Sequence, residues 1–132
     1  MEKQTLLVME GKYAIHSLRA ESEIPREIFD ADIYFIGKTK DELSLVVPQT
    51  IAIDAEETDL NWRILEVLGP LNLTMLGIMA GISKVLAHAE VSIFVESTFE
   101  TDYVLVKQEN LDKAIQALSD DGYTLRLEKV NT

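Results

Sequence analysis

Apolar positions recur along this chain with two periods. In the first half the period is short. Residues 6–9 and 13–18 read as strands, residues 25–29 as a helical turn, and residues 33–36 and 43–47 as two further strands. Pro25 suits the first turn of a helix, where its missing N–H would have no partner. Residues 64–68 form another strand, and Gly69-Pro70 ends it with a turn signal. Met75, Ile78, Met79, Ile82, Val85, Leu86 and Ala89 then fall three and four apart, the single apolar stripe of an amphipathic helix. Asn72 or Thr74 can cap its first turn. Val91, Ile93 and Val95 alternate with Ser92, Phe94 and Glu96 in a strand, and residues 103–107 make the next one. Asn110 is placed to cap a second helix with Leu111, Ala114, Ile115 and Leu118 inward. Gly122 supplies its left-handed stop, and Tyr123 opens a last strand with Leu125 and Leu127 on one face.

The second half is therefore ordered βαββαβ, which predicts an α+β, ferredoxin-like plan with two helices on one face of a sheet. The first half is an abbreviated version. Residues 48–61 carry Glu56, Glu57 and Asp59 and read as an acidic connection, so the expected division is residues 1–60 and 61–132. An internal echo supports two related modules in tandem. Residues 31–36 followed by 41–47 match residues 91–95 followed by 101–106, each as two apolar strands around a short polar turn.

Charge narrows the function. The 132 residues hold 12 Lys and Arg against 23 Asp and Glu, a net charge of −11, with no basic face to bind a nucleic-acid backbone. With no Cys, thiol catalysis, disulfides and thiolate metal sites are excluded. His16 and His88 lack metal-ligand spacing and read as surface or half-buried residues. No Ser/His/Asp set, phosphate loop or cofactor motif is present, so neither catalysis nor a cofactor is expected. Residues 71–89 are the longest apolar stretch, but Asn72, Lys84 and His88 make it a soluble core helix rather than a membrane span. No secretory leader is visible, and a cytoplasmic protein is the expectation.

Two places carry candidate chemistry. Residues 97–102 set three hydroxyls and two carboxylates between apolar strands, either as a solvated hairpin turn or as a ligand contact. A turn alone does not call for three hydroxyls, and Asp102 is a carboxylate suited to a desolvated ammonium. The helix start at residues 71–77 offers unpaired N–H groups, which serve either an ordinary cap or a carboxylate. Gly77 and Gly81, four apart on the helix side away from the stripe, imply a close approach, since each costs about 1 kcal/mol against Ala. The approaching group is a ligand, a neighbouring helix or the first module.

The second half resembles the ACT domains, βαββαβ regulatory modules that bind amino acids at interfaces between domains. It is similar to tandem ACT proteins of the CASTOR type and to the regulatory ends of aspartate kinases. The resemblance rests on Trp62-Arg-Ile-Leu-Glu-Val-Leu-Gly-Pro-Leu, on residues 76–87, and above all on residues 91–106, in which Ser97-Thr-Phe-Glu-Thr-Asp-Tyr is the most specific run; Asp41-Glu-Leu-Ser-Leu-Val adds the first module. It implies an amino-acid site made by Asn72, Leu73, Thr74, Gly77 and Ile78 at the helix start and by Thr98, Phe99, Thr101 and Asp102 in the hairpin. It also implies a second copy of the chain and a regulated protein as partners. The alternative is a ferredoxin-like module that binds only protein.

Overall fold

Side chains that alternate about extended backbone account for the smaller of two compact units, Gly11–Trp62. The computed structural model describes residues 3–69 and 77–129. In the smaller unit, β2 (Tyr13–Leu18), β3 (Phe35–Lys38) and β4 (Leu43–Pro48) pair with the first half of β5 (Glu57–Gly69) in the order β3-β4-β2-β5. Leu18, Leu43, Leu45 and Val47 face inward and bury Ile28 of a 3₁₀ turn, Arg26–Asp30. Pro25 stands just before that turn at φ −59°. β3 begins two residues later than its apolar run, because Tyr34 packs edge-to-face on Phe29 with ring centroids 5.7 Å apart and holds the chain in a bend until Phe35.

Residues 57–61, with the acidic Glu57 and Asp59, are strand, not connection. β2 and the first half of β5 pair antiparallel from Tyr13↔Trp62 to Ser17↔Glu57, so backbone bonds hold a segment whose acidic side chains stay in water. The register slips between Tyr13 and Ile15, and Asn61 takes up the bulge at φ 68°. Gln49 braces it. Its Oε1 accepts from the Asn61 N–H at 2.8 Å, and its Nε2 donates to Asn61 Oδ1 at 3.1 Å.

The larger unit, Met1–Glu10 with Arg63–Thr132, has the expected βαββαβ order: β5, α1 (Ile78–His88), β6 (Ile93–Ser97), β7 (Asp102–Lys107), α2 (Leu111–Asp120) and β8 (Thr124–Leu127). One strand comes from elsewhere in the chain. β1 (Thr5–Val8) lies between β5 and β8, antiparallel to the first through Leu6↔Val67 and parallel to the second through Leu6↔Leu125. The sheet order is thus β6-β7-β5-β1-β8, with the first strand of the chain grouped with its last residues. Leu6, Val8, Leu65, Val67, Val104 and Val106 face both helices, which cover them with Ile82, Leu86, Leu111, Ala114 and Leu118. Burying each such side chain favours folding by roughly 1.5–3 kcal/mol, which makes this the larger stabilising core.

The helix ends differ from expectation. Asn110 makes no side-chain cap bond, because a 3₁₀ turn at Gln108–Asn110 leaves it at φ −103°, ψ 1°, away from the extended geometry that a capping side chain needs. At the start of α1, Gly77 occupies the cap position at φ 87°, a left-handed conformation that suits glycine. Asn72, Leu73 and Thr74 lie outside the described residues. Gly122 closes α2 at φ 99° as expected.

Candidate functional site

The β6–β7 hairpin is built from Ile93↔Val106, Val95↔Val104 and Ser97↔Asp102 pairs, all on the face that carries the helices. Strand alternation therefore places Asp102 on that face, at the start of β7. The turn uses its hydroxyls itself. Ser97 Oγ donates to Asp102 Oδ1 at 2.5 Å, Thr98 Oγ1 accepts from the Thr101 N–H at 3.3 Å, and the Thr98 N–H reaches the Thr101 carbonyl at 2.9 Å. Thr101, 8% exposed, donates its Oγ1 to the Val67 carbonyl at 2.5 Å. The supposition that a hairpin has no use for three hydroxyls is thus incorrect, since each one fastens the turn or ties it to β5.

That last bond gives the place its geometry. It ties the hairpin beside Val67, two residues before Gly69, where β5 ends and the chain leads on to Gly77 and Ile78 at the head of α1. Of the sequence-predicted residues, Thr98, Thr101 and Asp102 share one bonded turn. Phe99 projects from its tip fully exposed. Gly77 is exposed and Ile78 packs against the core.

Three titratable groups near the hairpin were missed in the sequence. Glu96 stands opposite Tyr103 on the sheet face away from the helices. Burial pushes the Glu96 carboxyl above the ordinary carboxylate range. Glu66 on β5 is raised as well, first by burial and then by the charge of Glu128. The Tyr103 phenol is raised by burial and, after it, by Glu66 and Glu100. The only sequence signal was Glu at even positions within β-favouring runs.

Gly81 lies against its own unit. A Cβ there would meet the Tyr123 hydroxyl at 2.9 Å, so the close approach expected from a ligand, a neighbouring helix or the first module comes from the residue just before β8. Gly77 meets nothing within 4 Å, and only its backbone angle demands glycine. His88 is exposed, whereas His16 is only 4% exposed, contrary to its expected surface or half-buried place. Its Nδ1 bonds Thr58 Oγ1 at 2.8 Å, and burial lowers its pKa. Among the described residues, no three His, Asp or Glu side chains gather as a metal site, and no helix is long and apolar enough to cross a membrane.

Residues 57–120 match the ACT domain family model. The chain is similar over its whole length to protein Atu0741 from Agobacterium tumefaciens, at 30% identity and a TM-score of 0.90, covering 98% of that chain. Its fold is similar to the regulatory subunit of aspartate kinase from Thermus flavus, at 12% identity and a TM-score of 0.62 over 91% of this chain and 98% of that one. It is also similar to Clostridium acetobutylicum aspartate kinase, at 14% identity and a TM-score of 0.66 over 92% of this chain, which spans only 36% of that enzyme. No curated protein sequence matches. With 30% identity across its full length, the chain belongs to the family of the Agobacterium protein Atu0741, and its residues 57–120 match the ACT domain family model.

Proposed function

We propose that the chain is a non-catalytic regulatory protein of the cytoplasm that binds a free amino acid where the end of β5, the head of α1 and the β6–β7 hairpin come together. The observation that carries this reading is the Thr101–Val67 bond, which holds the hairpin beside the end of β5 with Asp102 on the helix-bearing face. Asp102 takes the ligand's ammonium. The N–H groups around Gly77 take its carboxylate, with Asn72, Leu73, Thr74 and Ile78 completing that half and Thr98 and Phe99 the other. The ACT domain over residues 57–120 and the fold likeness to an aspartate kinase regulatory subunit support a regulatory role, and the kinship to CASTOR-type tandem sensors belongs to the same reading.

A thermal-shift screen against the twenty amino acids tests it, because a ligand that binds only the native state raises its stability by mass action. One or a few amino acids are expected to raise the melting temperature. Asp102→Asn is expected to weaken that ligand roughly tenfold to a hundredfold, as loss of a charge opposite an ammonium costs about 1.5–3 kcal/mol. Unchanged affinity removes Asp102 from the site. A second reading, a module that binds only protein, is favoured by the full exposure of Phe99 at the hairpin tip. A flat screen in which Phe99→Ala abolishes association with a partner supports it.

A further inference from the structure

A groove of about 660 Å³ runs between the C-terminal halves of α1 and α2, within the larger unit. It lies past Gly81, toward the helix ends remote from the head of α1. Its two sides differ in charge. α1 contributes Lys84 and His88, one turn apart on one face, and α2 contributes Asp120, followed by Asp121.

The polar groups there are not equally committed. Lys3 Nζ binds Asp121 Oδ2 at 3.2 Å and lies 5.1 Å from the Tyr123 ring centroid, so that pair is neutralised. Gln116 Nε2 donates to one Asp120 oxygen at 2.8 Å, leaving the other for a donor. Among the described residues, Lys84 and His88 have no ion-pair or hydrogen-bond partner. The Tyr123 hydroxyl has no hydrogen-bond partner among the described residues either; the ring is buried, but the oxygen stays open to solvent. It sits against Gly81, which lines the groove, because glycine leaves no Cβ in between.

We infer that this groove is a second small-molecule site, for a dipolar solute whose carboxylate meets Lys84, His88 and the Tyr123 hydroxyl and whose ammonium meets Asp120. A simple anion would have to approach the Asp120 charge with nothing to offset it, and a simple cation would meet Lys84. A zwitterion satisfies both sides. In a chain of net charge −11 the long-range field repels anions, so recognition must come from these close contacts. The volume lies within the range of small-ligand sites.

Amide chemical-shift titration of the full chain with glycine, β-alanine and 4-aminobutanoate, zwitterions of graded length, tests this, with acetate and methylammonium as its separate halves. One zwitterion is expected to move the resonances of Gly81, Lys84, His88 and Asp120 while those of residues 97–102 stay still, which keeps the result independent of the hairpin site. Lys84→Ala and Tyr123→Phe are each expected to raise its dissociation constant about tenfold. The first change is on the surface and the second removes one oxygen, so both variants fold. Lys113→Ala, elsewhere on α2, leaves the constant unchanged. Acetate binding as well as the zwitterion, no shifts at the groove, or a parent-like affinity in either variant overturns the proposal.

Discussion

Thr101 illustrates how a single residue decides what a loop is for. Its hydroxyl, buried and bonded to the Val67 carbonyl, ties hairpin to strand. Thr101→Val keeps the shape and removes the donor, leaving a buried carbonyl with one bond fewer. It is expected to cost about 1–3 kcal/mol in urea unfolding. Ser97→Ala, at an exposed bond to Asp102, is expected to cost less. His16 is the corresponding case in the smaller unit, where its pKa is lowered by burial from an unfolded value near 6.5. Above that value both states are neutral and stability is flat. As pH falls below it the unfolded chain takes up a proton that the native histidine resists, so stability drops until the pH passes the lowered native value. Unfolding free energy measured from pH 8 to pH 5 is expected to fall in the parent, and to fall less in His16→Gln.

At the scale of elements, the β6 carboxylate has the opposite sign. The Glu96 pKa is raised by burial, so between its unfolded value near 4.5 and the higher folded value the native state holds more protons than the unfolded chain. Stability then declines as pH rises through that window. Glu96→Gln is expected to melt above the parent at pH 7 and level with it below pH 4. Solvent screening keeps the gain small, because the residue is only half-buried. For α1 the decisive contact is the 2.9 Å approach at Gly81. Gly81→Leu is expected to lose on the order of 1–3 kcal/mol by overpacking. Gly81→Ala gains helix propensity but meets the Tyr123 oxygen, so the double variant with Tyr123→Phe should melt above either single one.

For the whole molecule, the open question is association. Phe99 is fully exposed, Val95 is partly so, and β6 pairs only with β7 among the described residues. An unpaired strand edge beside apolar side chains favours a second copy, which a twofold axis would seat on the same patch. Light scattering at micromolar concentration is expected to give twice the chain mass, and Val95→Lys with Phe99→Asp to halve it. A parent already at the single-chain mass removes the dimer from the regulatory reading.

Local periodicity was enough to place β2 at residues 13–18, the α1 stripe from Ile78 to Ala89, the inward face of α2 and the left-handed stop at Gly122. Each of these is decided by neighbours within a few positions, so one stretch of sequence suffices. The remaining features depend on partners far away in the chain. The segment 57–61, which carries Glu57 and Asp59, becomes strand because β2 supplies backbone bonds across 40 or more positions, and β1 enters the larger sheet because β8, over 110 residues later, leaves an edge beside it. The site divides in the same way. The cluster of hydroxyls and carboxylates at residues 97–102 was legible as composition. That Thr101 is committed to Val67, that Gly81 answers to Tyr123 rather than to another module, and that Lys84 and Asp120 face one groove were decided only by tertiary packing, which assigns a polar group its partner from any distance along the chain.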